Sequence, residues 1–184
     1  TAGLVTQTGD AEGDTFSNVE NLIGTAFNDT LVGDLSANTL NGGSGDDLLE
    51  GLSGADSLQG GTGNDTASYA HAGAAVSASL ADASTNTGAD AAGDSYSDIE
   101  NLAGSDYNDT LTGNSSANTL TGNAGNDVLE GLGGADLIDG GSGSNTASYA
   151  HAAVIAGPGG TLLGVTASLA APGTNTGDAQ GDRY

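Results

Sequence analysis

The chain has no cysteine, methionine, tryptophan or lysine, and a single arginine, Arg183, in 184 residues. The missing cysteines leave the redox compartment open, since an extracellular chain without disulfides and a cytosolic one read alike. The missing lysine and arginine exclude more. Nucleic acid and anionic membranes are bound through clustered basic side chains, so neither is expected as a partner. Aromatics are scarce, five Tyr and two Phe, and the 36% hydrophobic fraction is rich in alanine, which buries little area. A thick apolar core is therefore not expected. No apolar run is long enough to span a bilayer and no signal peptide is visible, so membrane insertion is not expected either.

What is abundant is acid and glycine: 24 Asp and Glu, 33 Gly, and a net charge of −23. Almost no carboxylate can find a protein cation, so these groups must stay in water or bind metal. Such a composition is also that of a disordered, solvating segment. The order of the residues argues against disorder. An acid or amide recurs every nine positions as Glu20, Asp29, Asn38, Asp47, Asp56 and Asp65, and again as Glu100, Asp109, Asn118, Asp127, Asp136 and Asn145. Two residues after each stands an aliphatic: Leu22, Leu31, Leu40, Leu49, Leu58 and Ala67, then Leu102, Leu111, Leu120, Leu129, Ile138 and Ala147. A repeat this strict predicts a stack of small coils, each burying one aliphatic, and the residue it repeats is a hard oxygen ligand.

A longer repeat lies over the short one. Residues 11–73 match 91–153 at an offset of 80, and the match resumes at Val165–Leu169 against Val76–Leu80 after an insertion around Val154–Gly159. An insertion that leaves the register intact belongs in a loop. The expected organisation is a tail of a preceding unit at 1–14, unit 1 at 15–94 (nonamers 15–68, connector 69–94), unit 2 at 95–182 (nonamers 95–148, connector 149–182), and the start of another unit at 183–184. Thr8–Asp14 reappears as Thr176–Asp182, so the chain is expected to be a piece of a longer array. The connectors alternate at Ala67–His71 and Val76–Leu80, which predicts further strand with one face buried.

Gly42-Gly43-Ser44-Gly45-Asp46-Asp47-Leu48-Leu49-Glu50 resembles the nonapeptide of the RTX, or haemolysin-type calcium-binding, family. Gly60–Ser68 is a second close match, and Gly51–Gln59, Gly122–Glu130 and Gly131–Asp139 are looser ones. The resemblance implies an all-β fold, a parallel β-roll or β-helix solenoid of two superrepeats, with two nonamers per coil. Residues eighteen apart then stack at roughly 4.8 Å, close enough for adjacent turns to share a cation. One edge of unit 1 would carry Asp29, Asp47 and Asp65 and the other Glu20, Asn38 and Asp56. Unit 2 would set Asp109, Asp127 and Asn145 against Glu100, Asn118 and Asp136.

Oxygen donors on flexible turns select Ca²⁺ over Zn²⁺ and Mg²⁺. By resemblance the acids are side-chain ligands, and turn carbonyls at Gly42, Gly45, Gly51, Gly54, Gly60 and Gly63, then Gly122, Gly125, Gly131, Gly134, Gly140 and Gly143, complete the sites, for about six ions in all. Glycine before the acid is expected to permit positive φ. Sites touching Asn38, Asn118 and Asn145, or Phe27 and Tyr107 where glycine is usual, are expected to be weaker. Calcium is expected to be the folding partner.

No catalytic residue is expected, because Ser, His and Asp occur without a nucleophile elbow or oxyanion glycines. His71 and His151, Tyr69 and Tyr149 are read as structural residues repeated with the unit. Asn-Asp-Thr at 28, 64 and 108 matches a glycosylation acceptor but arises from the turn itself. The leading expectation is a structural segment of a secreted or surface protein of adhesin or surface-layer type, able to associate head to tail and, as the resemblance implies, exported by a type I route. The alternative is the non-catalytic calcium module of a secreted protease, lipase or alginate epimerase. A third reading is an ice- or polysaccharide-binding face carrying Thr39, Thr66, Thr119 and Thr146.

Overall fold

A computed structural model of the chain describes residues 9–88, 90–152, 155–156, 162–163, 165, 167, 169–170 and 177–184. Short strands follow one another at the nonamer spacing: β1 (Asn21–Ile23), β2 (Thr30–Val32), β3 (Thr39–Ser44), β4 (Leu48–Glu50), β5 (Ser57–Thr62) and β6 (Thr66–Ser68) in the first block. The connector contributes β7 (Ser77–Ser79), and the second block holds β8 (Ser95–Ser97), β9 (Asn101–Ala103), β10 (Thr110–Thr112), β11 (Thr119–Thr121), β12 (Val128–Glu130), β13 (Leu137–Asp139) and β14 (Thr146–Ala147).

Every pairing among these strands is parallel, and within a block the partners lie eighteen residues apart, as in Leu22↔Leu40, Leu31↔Leu49, Leu102↔Leu120 and Leu111↔Leu129. Two nonamers thus make one coil, and the fold is the parallel β-roll. A three-residue strand points only its middle side chain inward. Leu40, Leu49, Leu58, Ala67, Leu102, Leu111, Leu120, Leu129 and Ile138 are accordingly buried in one core, in files from the two opposed faces, with Leu22, Leu31 and Ala147 partly covered against it.

The two faces of the roll differ. One is a continuous six-stranded sheet, β2-β4-β6-β9-β11-β13, and the other is broken into β1-β3-β5-β8 and β7-β10-β12-β14. The break lies at the connector, where β7 leaves the first block to pair with β10, while β8, later in the chain, returns to pair with β5. Register survives this detour: Leu58↔Tyr96, Ala67↔Leu102 and Ala78↔Leu111 keep the inward files in step. Connector strand was thus correctly expected at Val76–Leu80. It was not at Ala67–His71, where β6 ends at Ser68 and Ala70 and His71 lie in a turn. The His71 backbone N–H and ring bind Glu50, which draws the chain out of the ladder.

In the second connector, Ile155–Ala156 and Leu162–Leu163 pair antiparallel. Most of Val154–Gly159, and part of Val165–Leu169, lie outside the described residues.

Candidate metal centre

Each rung of the ladder holds its neighbour through the backbone. The N–H of Asp29 donates to Oδ1 of Asp47 at 2.8 Å, that of Asp47 to Oδ1 of Asp65 at 2.8 Å, and that of Asp65 to Oε2 of Glu100 at 2.9 Å. On the opposite edge the N–H of Asn38 donates to Oδ1 of Asp56, and that of Asp56 to Oδ1 of Asp94. In the second block Val76 donates to Asp109, Asp109 to Asp127 and Asp127 to Asn145, while Asn118 donates to Asp136 and Asp136 to Asp182. In Asp47, Asp56, Asp65, Asp94, Glu100, Asp109, Asp127, Asp136 and Asp182 one carboxylate oxygen is therefore consumed in joining turns.

The other oxygen decides the chemistry. In Asp47, Asp56, Asp65, Asp127 and Asp136 it is buried with no hydrogen-bond partner. An unsatisfied buried polar atom costs about 1–3 kcal/mol, and more when charged, so these five oxygens rival the stability of a whole domain unless something neutralises them. Burial raises the pKa of Asp56, Asp65 and Asp127 above the ordinary 3.8, against the lowering effect of the backbone N–H each accepts. It raises Asp136 to about 6, with Asp182 and Asp178 adding to the rise.

Each orphaned oxygen faces a glycine. A Cβ on Gly42 would lie 2.1 Å from Oδ2 of Asp47, on Gly51 2.2 Å from that of Asp56, and on Gly131 2.2 Å from that of Asp136. On Gly122 it would lie 2.4 Å from Oδ2 of Asp127 and 2.8 Å from the carbonyl oxygen of Gly140, one turn along. The space left by the absent side chain is thus lined by a carboxylate oxygen and, at Gly122, by a carbonyl oxygen, the hard donor pair that Ca²⁺ takes. Among the described residues no three Asp, Glu or His side chains converge. A cation here would draw on one carboxylate per rung and on backbone carbonyls, and the residues present fit it.

The remaining rungs answer their own demand. Oδ2 of Asp29 accepts from the N–H and hydroxyl of Thr25, and Oδ2 of Asp109 from those of Ser105. Oδ1 of Asn38 accepts from the N–H of Asp34, Oδ1 of Asn118 from that of Asn114, and Nδ2 of Asn145 donates to the carbonyl of Gly140. Glu20 is exposed at the head of its edge.

The sequence matches the family model of the RTX calcium-binding nonapeptide repeat over residues 14–49, 23–58, 50–68, 94–129 and 112–147, more than half of the chain. The chain belongs to this family. Set directly against curated proteins, it matches none. As an RTX repeat chain it is a calcium-binding repeat module, and its glycines divide into two classes. Gly45, Gly54, Gly63, Gly125, Gly134 and Gly143 take the positive φ expected of them, from 119° to 152°. Gly42, Gly51, Gly60, Gly122 and Gly131 do not, and leave room for the acid, as Gly140 does for Asn145. The looser nonamers show their departure in the backbone: Leu52 and Leu132 adopt φ of 66° and 65°, a left-handed conformation that costs a branched side chain energy.

Two features of this RTX chain differ from the sequence reading. Glu100 continues the edge of Asp29, Asp47 and Asp65, followed by Asn118, Asp136 and Asp182, so the two edges exchange their parts of the pattern across the connector. The cause is β7 and β8, two consecutive strands that both join the broken face. The reading also missed Asp94 and Asp182 as rungs, and Thr25 and Ser105 as their neighbours' donors. Asp94 and Asp182 fall off the nine-residue phase. They do occur in matching Gly-Asp pairs at 93–94 and 181–182, each ahead of a Tyr two residues on, which was the available signal.

His71 and His151 form the same local pair in both units. Nδ1 of His71 lies 2.8 Å from Oε2 of buried Glu50, and Nδ1 of His151 lies 2.9 Å from Oε2 of Glu130. The residues preceding the core position on the continuous face run Thr30, Leu48, Thr66, Asn101, Thr119, Leu137, with Asn101 itself buried, which is not a threonine array.

Proposed function

We propose that the chain is a structural segment of a large secreted or cell-surface protein of the adhesin or surface-layer type, which stays unfolded at low calcium and folds on Ca²⁺ outside the cell after type I export. The observation that carries this reading is the row of buried carboxylate oxygens without partners, each facing a glycine. Asp47, Asp56, Asp65, Asp127 and Asp136 are the primary ligands, joined by carbonyls of the neighbouring glycine turns. Asp29, Asp109, Glu20, Glu100, Asn38, Asn118 and Asn145 contribute at most weakly. Among the described residues open oxygens number five, where the pattern suggested about six ions. Extracellular sites bind at about 10⁻⁴–10⁻³ M, so each adds roughly 1 kcal/mol at millimolar calcium and several together match a domain's stability.

Catalysis has no part in this reading. The same segment as the non-catalytic module of a secreted enzyme is the second reading. The duplication of a whole unit with its junction intact favours the array. Among the described residues β1 and β2 pair on one side only, with Ile23 and Phe27 exposed beside them, which supports head-to-tail stacking as a further part of the proposal. Circular dichroism tests the calcium reading: β signal is expected to appear cooperatively with Ca²⁺ and not with equal Mg²⁺. An unchanged β spectrum in excess EGTA would overturn it.

A further inference from the structure

We propose that the rungs at Asp94 and Asp182 are cation-free, because a tyrosine hydroxyl from the connector occupies the place that calcium takes elsewhere in the ladder. The inference rests on the calcium reading above and adds where the ions stop. Asp94 stands in the row Asn38, Asp56, Asp94, and Asp182 in the row Asn118, Asp136, Asp182; each accepts the N–H of the rung before it through Oδ1. By position their second oxygens should be orphaned as those of Asp56 and Asp136 are. Instead the hydroxyl of Tyr69 donates to Oδ2 of Asp94 at 2.8 Å, and that of Tyr149 to Oδ2 of Asp182 at 2.8 Å.

Two observations make this a built feature. First, the contact recurs although the connectors differ in length: tyrosine and aspartate are 25 residues apart in the first unit and 33 in the second. The insertion was absorbed without moving the pair. Second, the surroundings of Asp94 are saturated, and Asp182 has the equivalent pair of tyrosines. The hydroxyl of Tyr96 bonds that of Tyr69, and that of Tyr184 bonds that of Tyr149. Nδ2 of Asn86 donates to the hydroxyl of Tyr96 at 3.0 Å and to the carbonyl of Asp94 at 3.3 Å, and its Oδ1 accepts from the N–H of Ser79 at 2.8 Å. The orphaned oxygens all lie in the nonamer stacks, none in the connectors among the described residues.

A cation entering at Asp94 would have to expel Tyr69, which is 1% exposed, and break its hydrogen bond, giving up burial worth about 2 kcal/mol for a site worth roughly 1 kcal/mol at millimolar calcium. The exchange is unfavourable, so the ions of the row Asn38, Asp56, Asp94 stop short of Asp94, and Tyr149 ends the row Asn118, Asp136, Asp182 in the same way.

Equilibrium dialysis of calcium on the full chain tests this. Asp56→Asn and Asp65→Asn are each expected to lower the bound calcium by about one ion, whereas Asp94→Asn and Asp182→Asn, checked for fold by circular dichroism, leave it unchanged. Loss of an ion in Asp94→Asn would overturn the proposal. Should that variant not fold, the wild type loaded with ¹¹³Cd²⁺ decides: metal coupling is expected at the carboxyl carbons of Asp56 and Asp65 and none at Asp94, and coupling at Asp94 would overturn it. A wild type that binds no calcium at all would instead defeat the calcium reading on which the proposal stands.

Discussion

In the nonamer stack, Asp47, Asp56 and Asp65 each bury one carboxylate oxygen against a glycine with no donor in reach, while at the connector Asp94 buries the same atom under the hydroxyl of Tyr69. Both regions use the same backbone ladder, the same inward file of apolar residues and the same near-complete burial. They differ in what they spend on the second oxygen. The stack dispenses with side chains there, which keeps the repeat short and makes it depend on an outside cation. The connector spends an aromatic residue and an asparagine, which lengthens the chain and frees that rung from metal. A roll built only of nonamers would have no metal-independent seam, and one built only of connectors would need far more sequence per turn.

The largest expected effect comes from removing calcium. With EGTA, amides of β2 to β6 and β10 to β14 are expected to lose protection first, with those around β7 and β8 persisting longer, as hydrogen exchange followed by mass spectrometry would report. Uniform loss across both regions would break the comparison. Next, Asp47→Ala is expected to raise the calcium midpoint at least tenfold, because Asp47 serves the turns on both sides, whereas Asp14→Ala shifts it by less than about twofold. Equal midpoints would show that position in the ladder is irrelevant.

Gly51→Ala sets a methyl 2.2 Å from Oδ2 of Asp56 and is expected to cost about 2–3 kcal/mol in calcium, read from thermal melts. Gly73→Ala, with nothing within 4 Å of the added methyl, is expected to stay within about 0.5 kcal/mol. Tyr69→Phe removes one donor from Asp94 and is expected to cost about 1–2 kcal/mol with the calcium midpoint little changed.

The smallest effect is on pH. Burial raises Asp94 and Asp136 to about 6 in the folded chain, against 3.8 in the ordinary state. A raised carboxyl favours the folded state when protonated, so this contribution is fully present below about 3.8 and is lost as pH rises through about 6. In EGTA, residual structure is therefore expected to grow as pH falls from 7 to 5. In calcium the sign reverses at Asp136, which must ionise to bind, and the calcium midpoint is expected to rise over the same window. Residual structure that fell with pH in EGTA would contradict these shifts.

The sequence by itself determined the roll within each block. A period of nine with one aliphatic per strand permits only one inward residue per half-coil, and Leu40, Leu49 and Leu58 lie where that rule puts them because a three-residue strand has a single middle. It also determined that carboxylates would crowd without basic partners, since one arginine cannot answer 24 acids. Composition and period are local or additive properties, and they read straight from the chain. At Asp29 the second oxygen is answered locally, by Thr25 four residues earlier, where Asp47 has Gly43 and no donor. The tertiary structure alone decided that the rung at Asp94 is closed. The partner of Asp94 is Tyr69, 25 residues away and off the nine-residue phase, brought there because β7 and β8 fold onto one face and exchange the edges of the roll. Hydrogen-bond satisfaction depends on what the completed stack brings within reach, and a periodic pattern carries no record of that.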